Sequence, residues 1–302
     1  VASGALQEGD GIRISYVDEN DADYFDTNWF NALDKLESQN TQIVVPLPIQ
    51  AKSSIFRATV NHCELMSSIA NRRERVALIG AIRGVTYQAI LGITDVAVED
   101  IGILEGIQGD DPEEVLADET EDLVNFKLGD NYTSNRACYF FPDEIVRNVN
   151  GSNILLDGFY IAAAAGGRLA GTSNVAMPLT NKTLSGFTIL RDKVYKDSIL
   201  DSLGAEGATV LQPVTGGGRI LACRTTSNTG LIEDEELSII FIRDRVKQIL
   251  RGSVKGYIGK VQSENTNIAI GVRIKRIMDG LISQGLITGY TGLNVKRDKL
   301  NP

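Results

Sequence analysis

Histidine is almost missing. His62 is the single imidazole in 302 residues, so mechanisms that need two of them are excluded. Cysteine is scarce, odd in number and scattered: Cys63, Cys138 and Cys223 make no disulfide framework, fit a reducing compartment and lack the close spacing of zinc sites. Proline is poor at 7 and glycine slightly rich at 30, while 43% hydrophobic and 23% charged residues are ordinary for a globular chain and argue against wholesale disorder. The longest apolar run, Phe159 to Gly167, is closed by Arg168 and falls short of the roughly 18 residues of a membrane span. Val1 to Asp10 is small and acidic, without the pattern of a secretory signal. The chain opens on Val, so Val1 is expected to be a cut in a longer protein. At about 150 residues per domain, the length admits two domains or one large one.

Positive charge is also missing from a long stretch. No Lys or Arg lies between Arg83 and Lys127, and Asp95 to Asp122 holds twelve acids. This reads as a solvated acidic insertion, about 95–134, extended by its own repulsion. The alternating ligands and central glycine of an EF-hand are absent there and in Asp18 to Asp23, so no metal is assigned. The net charge of −9 hides an asymmetry: residues 243–302 carry twelve Lys or Arg against four Asp or Glu, a net +8, leaving −17 on residues 1–242. Such opposed faces suggest charge-guided contact with a partner. A protein partner fits better than nucleic acid, because an acidic bulk repels phosphates and basic residues are not interleaved with aromatics.

Hydrophobic spacing predicts helix over Trp29 to Glu37 and a buried strand at Ile43 to Val45. Helix follows over 51–73 through Ile55, Phe56, Cys63, Met66 and Ile69, then strand over Arg75 to Gly80. Strand, helix, strand is the crossover of a parallel sheet, so the first half is α/β. A strand at Ala137 to Phe141 precedes Ile154 to Gly171, which reads as one core helix of small residues. Ser185 to Ile189 and Thr209 to Leu211 read as extended, and Gly216 to Gly218 turn the chain into an alternating strand over Arg219 to Thr226. Leu237 to Phe241 is β-rich and leads into a helix through Val246, Ile249 and Leu250. The last helix sets Ile270, Ile274, Ile277 and Leu281 on one stripe and ends near Gly285.

Few motifs carry chemistry. Gly166 to Ser173 (GGRLAGTS) has the glycine spacing of a phosphate-binding loop, but Thr172 stands where the Walker lysine is needed. Gly171, Thr172 and Ser173 resemble the surroundings of the subtilisin nucleophile, with Asp26 and His62 upstream in the matching order Asp, His, Ser. His62, however, sits mid-helix between Asn61 and Cys63, away from the His-Gly-Thr setting of that family, so no catalytic residue is assigned. The sequons at Asn131, Asn150 and Asn181 read as chance matches. Arg273, Lys275 and Arg276 flank the stripe of the last helix. They are either a solvated face or a docking surface for an acidic partner, together with Lys260, Lys296, Arg297 and Lys299.

Taken in order, the segments ALDKLE, IVVP, RRERVALIG, LLDGFYIAAAAGGRLAG, PLTNKTLSGF, GATVLQPVTGGGRILACRTT, EELSIIFIRDRVKQIL, YIGK and GLITGY resemble the sheath proteins of contractile bacteriophage tails along nearly the whole chain. The resemblance implies a subtilisin-like α/β domain without a catalytic triad over 1–190, and a smaller α+β C-terminal sheath domain over 191–302. It implies a structural subunit, not an enzyme, with no cofactor and no metal. Its partners would be other sheath subunits in hexameric rings, the tail tube protein and the baseplate, with no nucleic acid and no membrane insertion. The rings would stack helically on the tube, linked by terminal arms that add strands to neighbouring sheets, and contract to drive the tube through the host envelope. The location implied is the virion tail, assembled in the host bacterial cytoplasm. A type VI secretion or related injection machine would use a similar subunit; a serine hydrolase is the contrasting reading. The tube is expected to meet Arg273, Lys275 and Arg276. The arms of the family would lie outside this chain, which is expected to be largely monomeric by itself.

Overall fold

Four short apolar segments lie side by side in parallel and set the core. A computed structural model describes residues 22–47, 53–93, 128, 132–172, 176–261 and 263–296. The acidic stretch expected as an insertion lies almost wholly outside the described residues, as do Ser173, Arg297 and Lys299. Two compact units divide the chain, 1–39 and 40–302. The first contains helix α1 (Ala22–Glu37), which covers the expected helix and begins seven residues before Trp29.

The second unit holds the sheet. Strands β1 (Ile43–Val44), β2 (Val76–Gly80), β3 (Ala137–Phe141) and β8 (Ala208–Val214) run parallel, with Ile43 beside Val76, Leu78 beside Cys138 and Phe140 beside Thr209. Strands β9 (Gly217–Ile220) and β6 (Thr183–Ser185) continue the same sheet antiparallel, giving the order β1-β2-β3-β8-β9-β6. This sheet draws on both sides of residue 190, because β3 is hydrogen-bonded to β8. Every residue of β2 and β3 is buried, as expected of parallel strands covered on both faces. Helix α2 (Ser53–Ser67) makes the crossover from β1 to β2. A second sheet, β5-β4-β7, is antiparallel and is built from β4 (Glu144–Val149), β5 (Ser152–Asp157) and β7 (Thr188–Ile189). The short helix α3 (Tyr87–Ile90) follows β2. Helices α4 (Phe159–Ala170), α5 (Asp197–Ala205), α6 (Ile232–Glu235), α7 (Leu237–Val254) and α8 (Glu264–Ser283) complete the described chain.

Small residues let α4 lie close on the sheet. Ile161, Ala162 and Ala165 join Val76, Leu78, Cys138 and Phe140 in the core, and a Cβ on Gly166 would stand 3.2 Å from Val45. At the strand ends the contact is tighter: a Cβ on Gly80 would come within 2.3 Å of the Gly158 carbonyl and the Phe159 Cα.

Five expectations are corrected. Ile154 to Asp157 is strand, not the first turn of α4. Asn150 and Gly151 both take positive φ (53° and 86°), the geometry of a two-residue hairpin turn that pairs β5 with β4. Leu237 to Phe241 is the start of α7, where burial of Leu237, Ile240 and Asp244 on one face overrides the β-propensity of the isoleucines. Ser185 to Ile189 is two strands in two different sheets, redirected by Gly186 at φ +97°. Helix α2 stops at Ser67, so Ile69 is 86% exposed. Strand β9 ends at Ile220 instead of reaching Thr226.

Candidate functional site

Ligands of open α/β sheets sit at the C-terminal ends of the parallel strands. Here that end is crossed by paired charges. Arg83 holds Glu144 at 3.1 Å and Asp157 at 2.6 Å. The wholly buried Asp143 pairs with Lys193 at 2.8 Å and accepts a hydrogen bond from the Gly84 N–H at 3.0 Å. Burial, then the Asp143 charge, holds the Glu144 carboxyl above its ordinary range. Each carboxylate faces a cation, and the near-contact of Gly80 with Gly158 closes the backbone between them. The arrangement staples loop ends together.

Of the residues considered for catalysis, His62 is the one whose surroundings the structure describes. Asp26 lies on α1, in the first unit, and Ser173 is outside the described residues. His62 is buried on α2 with its Nε2 2.8 Å from Arg75 Nη1, so the nitrogen that would take a serine proton faces a guanidinium. Its neighbour Cys63 is buried, which pushes the thiol up to about 12 and keeps it protonated. The glycine-rich GGRLAG stretch forms the C-terminal half of α4, whereas a phosphate loop must lead into a helix N-terminus. Among the described residues no three His, Cys, Asp or Glu side chains converge as metal ligands, and no helix is long and apolar enough to cross a membrane.

A polar seam that the sequence pattern did not reveal fastens α7 to the N-terminal ends of β2 and β3. Arg136 and Asp244, both buried, form a bidentate pair, with Nη2 to Oδ1 at 3.0 Å. Arg251 reaches the buried Glu74 at 2.5 Å. Asp234 accepts from Asn135 at 2.9 Å and from Arg243 at 3.1 Å, and these bonds hold its carboxyl below the ordinary range. The residue types were visible, but partners such as Arg136 and Asp244 are 108 positions apart.

Beyond the seam, α8 turns its Ile270, Ile274, Ile277 and Leu281 stripe inward and leaves the opposite face uncovered. Ser263 caps its N-terminus by accepting from the Thr266 N–H at 3.1 Å. Arg273, Lys275 and Arg276 are all exposed, and none forms an ion pair with another described residue. Lys275 and Arg276 share the outward face with Ile268 and Val272, exposed by 57% and 64%. The face therefore offers both charge and apolar area to a partner. Lys260 and Lys296 are exposed as well.

No protein-family model and no curated protein matches the sequence. Solved structures do match. The sheath tail protein of Desulfitobacterium hafniense aligns with a TM-score of 0.57 and 8% identity, over 85% of this chain and 49% of its own. A chain of the anti-feeding prophage baseplate aligns at 0.54 with 14% identity, over 92% and 62% of the two chains. A chain of the contracted anti-feeding prophage helical sheath aligns at 0.54 with 13% identity, over 91% and 63%. This chain thus spans from about half to under two thirds of the solved chains it matches. At such identities the likeness is one of fold: the chain has the fold of the contractile tail sheath proteins.

Proposed function

We propose that this chain belongs to a subunit of a contractile sheath. Copies assemble as six-membered rings stacked helically on a tail tube, above a baseplate, and a change of packing shortens the lattice and drives the tube through the host envelope. The observation that carries this reading is the match of fold over 85% to 92% of the chain with a tail sheath protein and with chains of a related contractile assembly. In this reading the parallel sheet, which takes β8 from beyond residue 190, is the subtilisin-like scaffold with no triad, and α8 near the C-terminal end of the chain faces the tube. A lattice rearrangement releasing only about 1 kcal/mol per subunit, summed over many rings, far exceeds thermal energy, so contraction in this reading needs no nucleotide hydrolysis. A second setting for the same subunit is a type VI secretion or related injection machine in place of a virion. Finding the protein by mass spectrometry in infectious particles supports the phage setting, and finding it only in injection particles supports the other.

The tube meets the outward face of α8 through Arg273, Lys275 and Arg276. Exposed ion pairs contribute about 0–1 kcal/mol each and are screened by salt, which suits a grip that must let go on contraction. Reversing Lys275 and Arg276 to Glu in the full-length protein leaves the subunit folded, by circular dichroism and melting temperature, and abolishes tube-dependent extended sheath under the electron microscope. Extended sheaths of normal length from that variant overturn the assignment of the face. Labelling of Ser173 by a fluorophosphonate probe overturns the non-enzymatic reading.

A further inference from the structure

The β4–β5 hairpin runs beyond the body that anchors it. Ile145 belongs to the core and Leu156 packs against it, yet every residue from Arg147 to Leu155 is exposed. Strand β5 is outermost in its sheet, and among the described residues its backbone makes no ladder except the one to β4. Proteins usually blunt such an edge with lysine, proline or a bulge. Ser152 to Leu156 contains no charge and no proline, and the register with β4 is unbroken from Glu144 beside Asp157 to Val149 beside Ser152. The charges at the base, Glu144 and Asp157, are both engaged by Arg83. Val149 and Ile154 lie on one face and Leu155 on the other, exposed by 38%, 44% and 43%. A helix or groove could cover one face only, whereas a strand added at the edge extends both faces and pairs the open backbone groups.

We infer that β5 is an intermolecular pairing edge whose partner is β5 of a second copy, antiparallel, making a four-stranded β4-β5-β5′-β4′ ribbon. Twofold pairing places one residue opposite its own mate. With Ile154 or Leu155 at that centre, Ser152 to Leu156 is free of like-charge opposition, and Asp157 falls opposite Gly151 or Asn153 of the other copy. A two-stranded ribbon alone is marginal, and a four-stranded one is not. A pairing limited to the five residues Ser152 to Leu156 is short beside the roughly 1,000 Å² of a stable interface, so the pair is expected to be weak and to form at high protein concentration. The inference does not rest on the sheath reading. Twofold contacts close on themselves, so the pairing stops at the dimer.

Sedimentation equilibrium of the 302-residue chain tests it. The expected result is monomer at low concentration and a growing dimer fraction at high concentration. Ile154→Lys weakens dimerisation by about tenfold or more without changing the melting temperature, since the residue is exposed. Ile154→Cys under oxidised glutathione gives a covalent dimer, while Ile258→Cys, on another exposed element, and the native chain with its three buried thiols do not. A chain that stays monomeric at every concentration, a dimer indifferent to Ile154→Lys, or equal cross-linking at 154 and 258 overturns the inference.

Discussion

Strand β3 and helix α8 stand at opposite extremes of this molecule. All five residues of β3 are buried, whereas α8, with 20 residues, buries Leu281 alone. Changing Cys138 or Phe140 changes the core between α4 and the sheet, and changing Tyr139 changes the packing against Phe56 of α2. Changing Lys275 or Arg276 alters only what the surface presents to a partner. The difference teaches where constraint lies: the sheet end of the molecule is bound by its own packing, and the α8 end is free to be shaped by something outside it. The seam of Arg136 with Asp244 lies between the two, since it anchors α7 by charge where apolar packing alone would not specify its register.

The largest effect that would sharpen this contrast is expected at Gly80. An added methyl would collide with backbone at 2.3 Å, so Gly80→Ala destabilises by about 3 kcal/mol or more in urea unfolding, or prevents soluble expression. Asp244→Ala leaves Arg136 buried without its partner and is expected to cost about 3–5 kcal/mol, while the double change Arg136→Met with Asp244→Leu restores most of that loss. If the single and double variants melt alike, the seam is not what positions α7. Ile270→Ala on the half-buried stripe of α8 costs about 1–2 kcal/mol, below the range of about 2–5 for a fully buried isoleucine. A larger loss there would break the comparison, because α8 would then be held as tightly as β3.

The smallest effect is electrostatic. Glu236, half-buried at the start of α7, is held above the usual carboxylate range chiefly by burial, against the pull of Ser238 and Arg224. A raised folded value means the native state binds the proton more tightly. The charged form therefore penalises folding above that value, and the penalty fades as pH falls toward the unfolded value near about 4.3. Glu236→Gln is expected to stabilise by under about 1 kcal/mol at pH 7, with the gain vanishing on acidification in a pH series of melting temperatures.

Much of the sheet was legible. Ile43 to Val45, Arg75 to Gly80 and Ala137 to Phe141 announced themselves as short apolar runs separated by a helical crossover, because a strand covered on both faces has little choice but apolar residues. The stripe of α8 was legible from its period. The β4–β5 hairpin was not read from the sequence: Asn150-Gly151 is a turn signal that the reading of 154–171 as one helix left unused, and only the pairing with β4 decides where strand ends and helix begins. Leu237 to Phe241 misled for the reverse reason: β-branched residues favour strand in isolation, and contact with the core turned them into helix.

From composition and order alone came the single imidazole, the acidic bulk with its basic tail, the parallel α/β beginning and the exposed cations of the last helix. These depend on residue type and on spacing along the chain, which local periodicity reports. Tertiary structure alone decided that His62 faces Arg75, that Arg136 finds Asp244, that Gly80 presses on Gly158 and that β5 is outermost in its sheet among the described residues. Those are meetings of residues far apart in the chain or the place of a strand in its sheet, and no periodicity encodes either. They follow only once burial of the apolar strands has fixed where every segment lies.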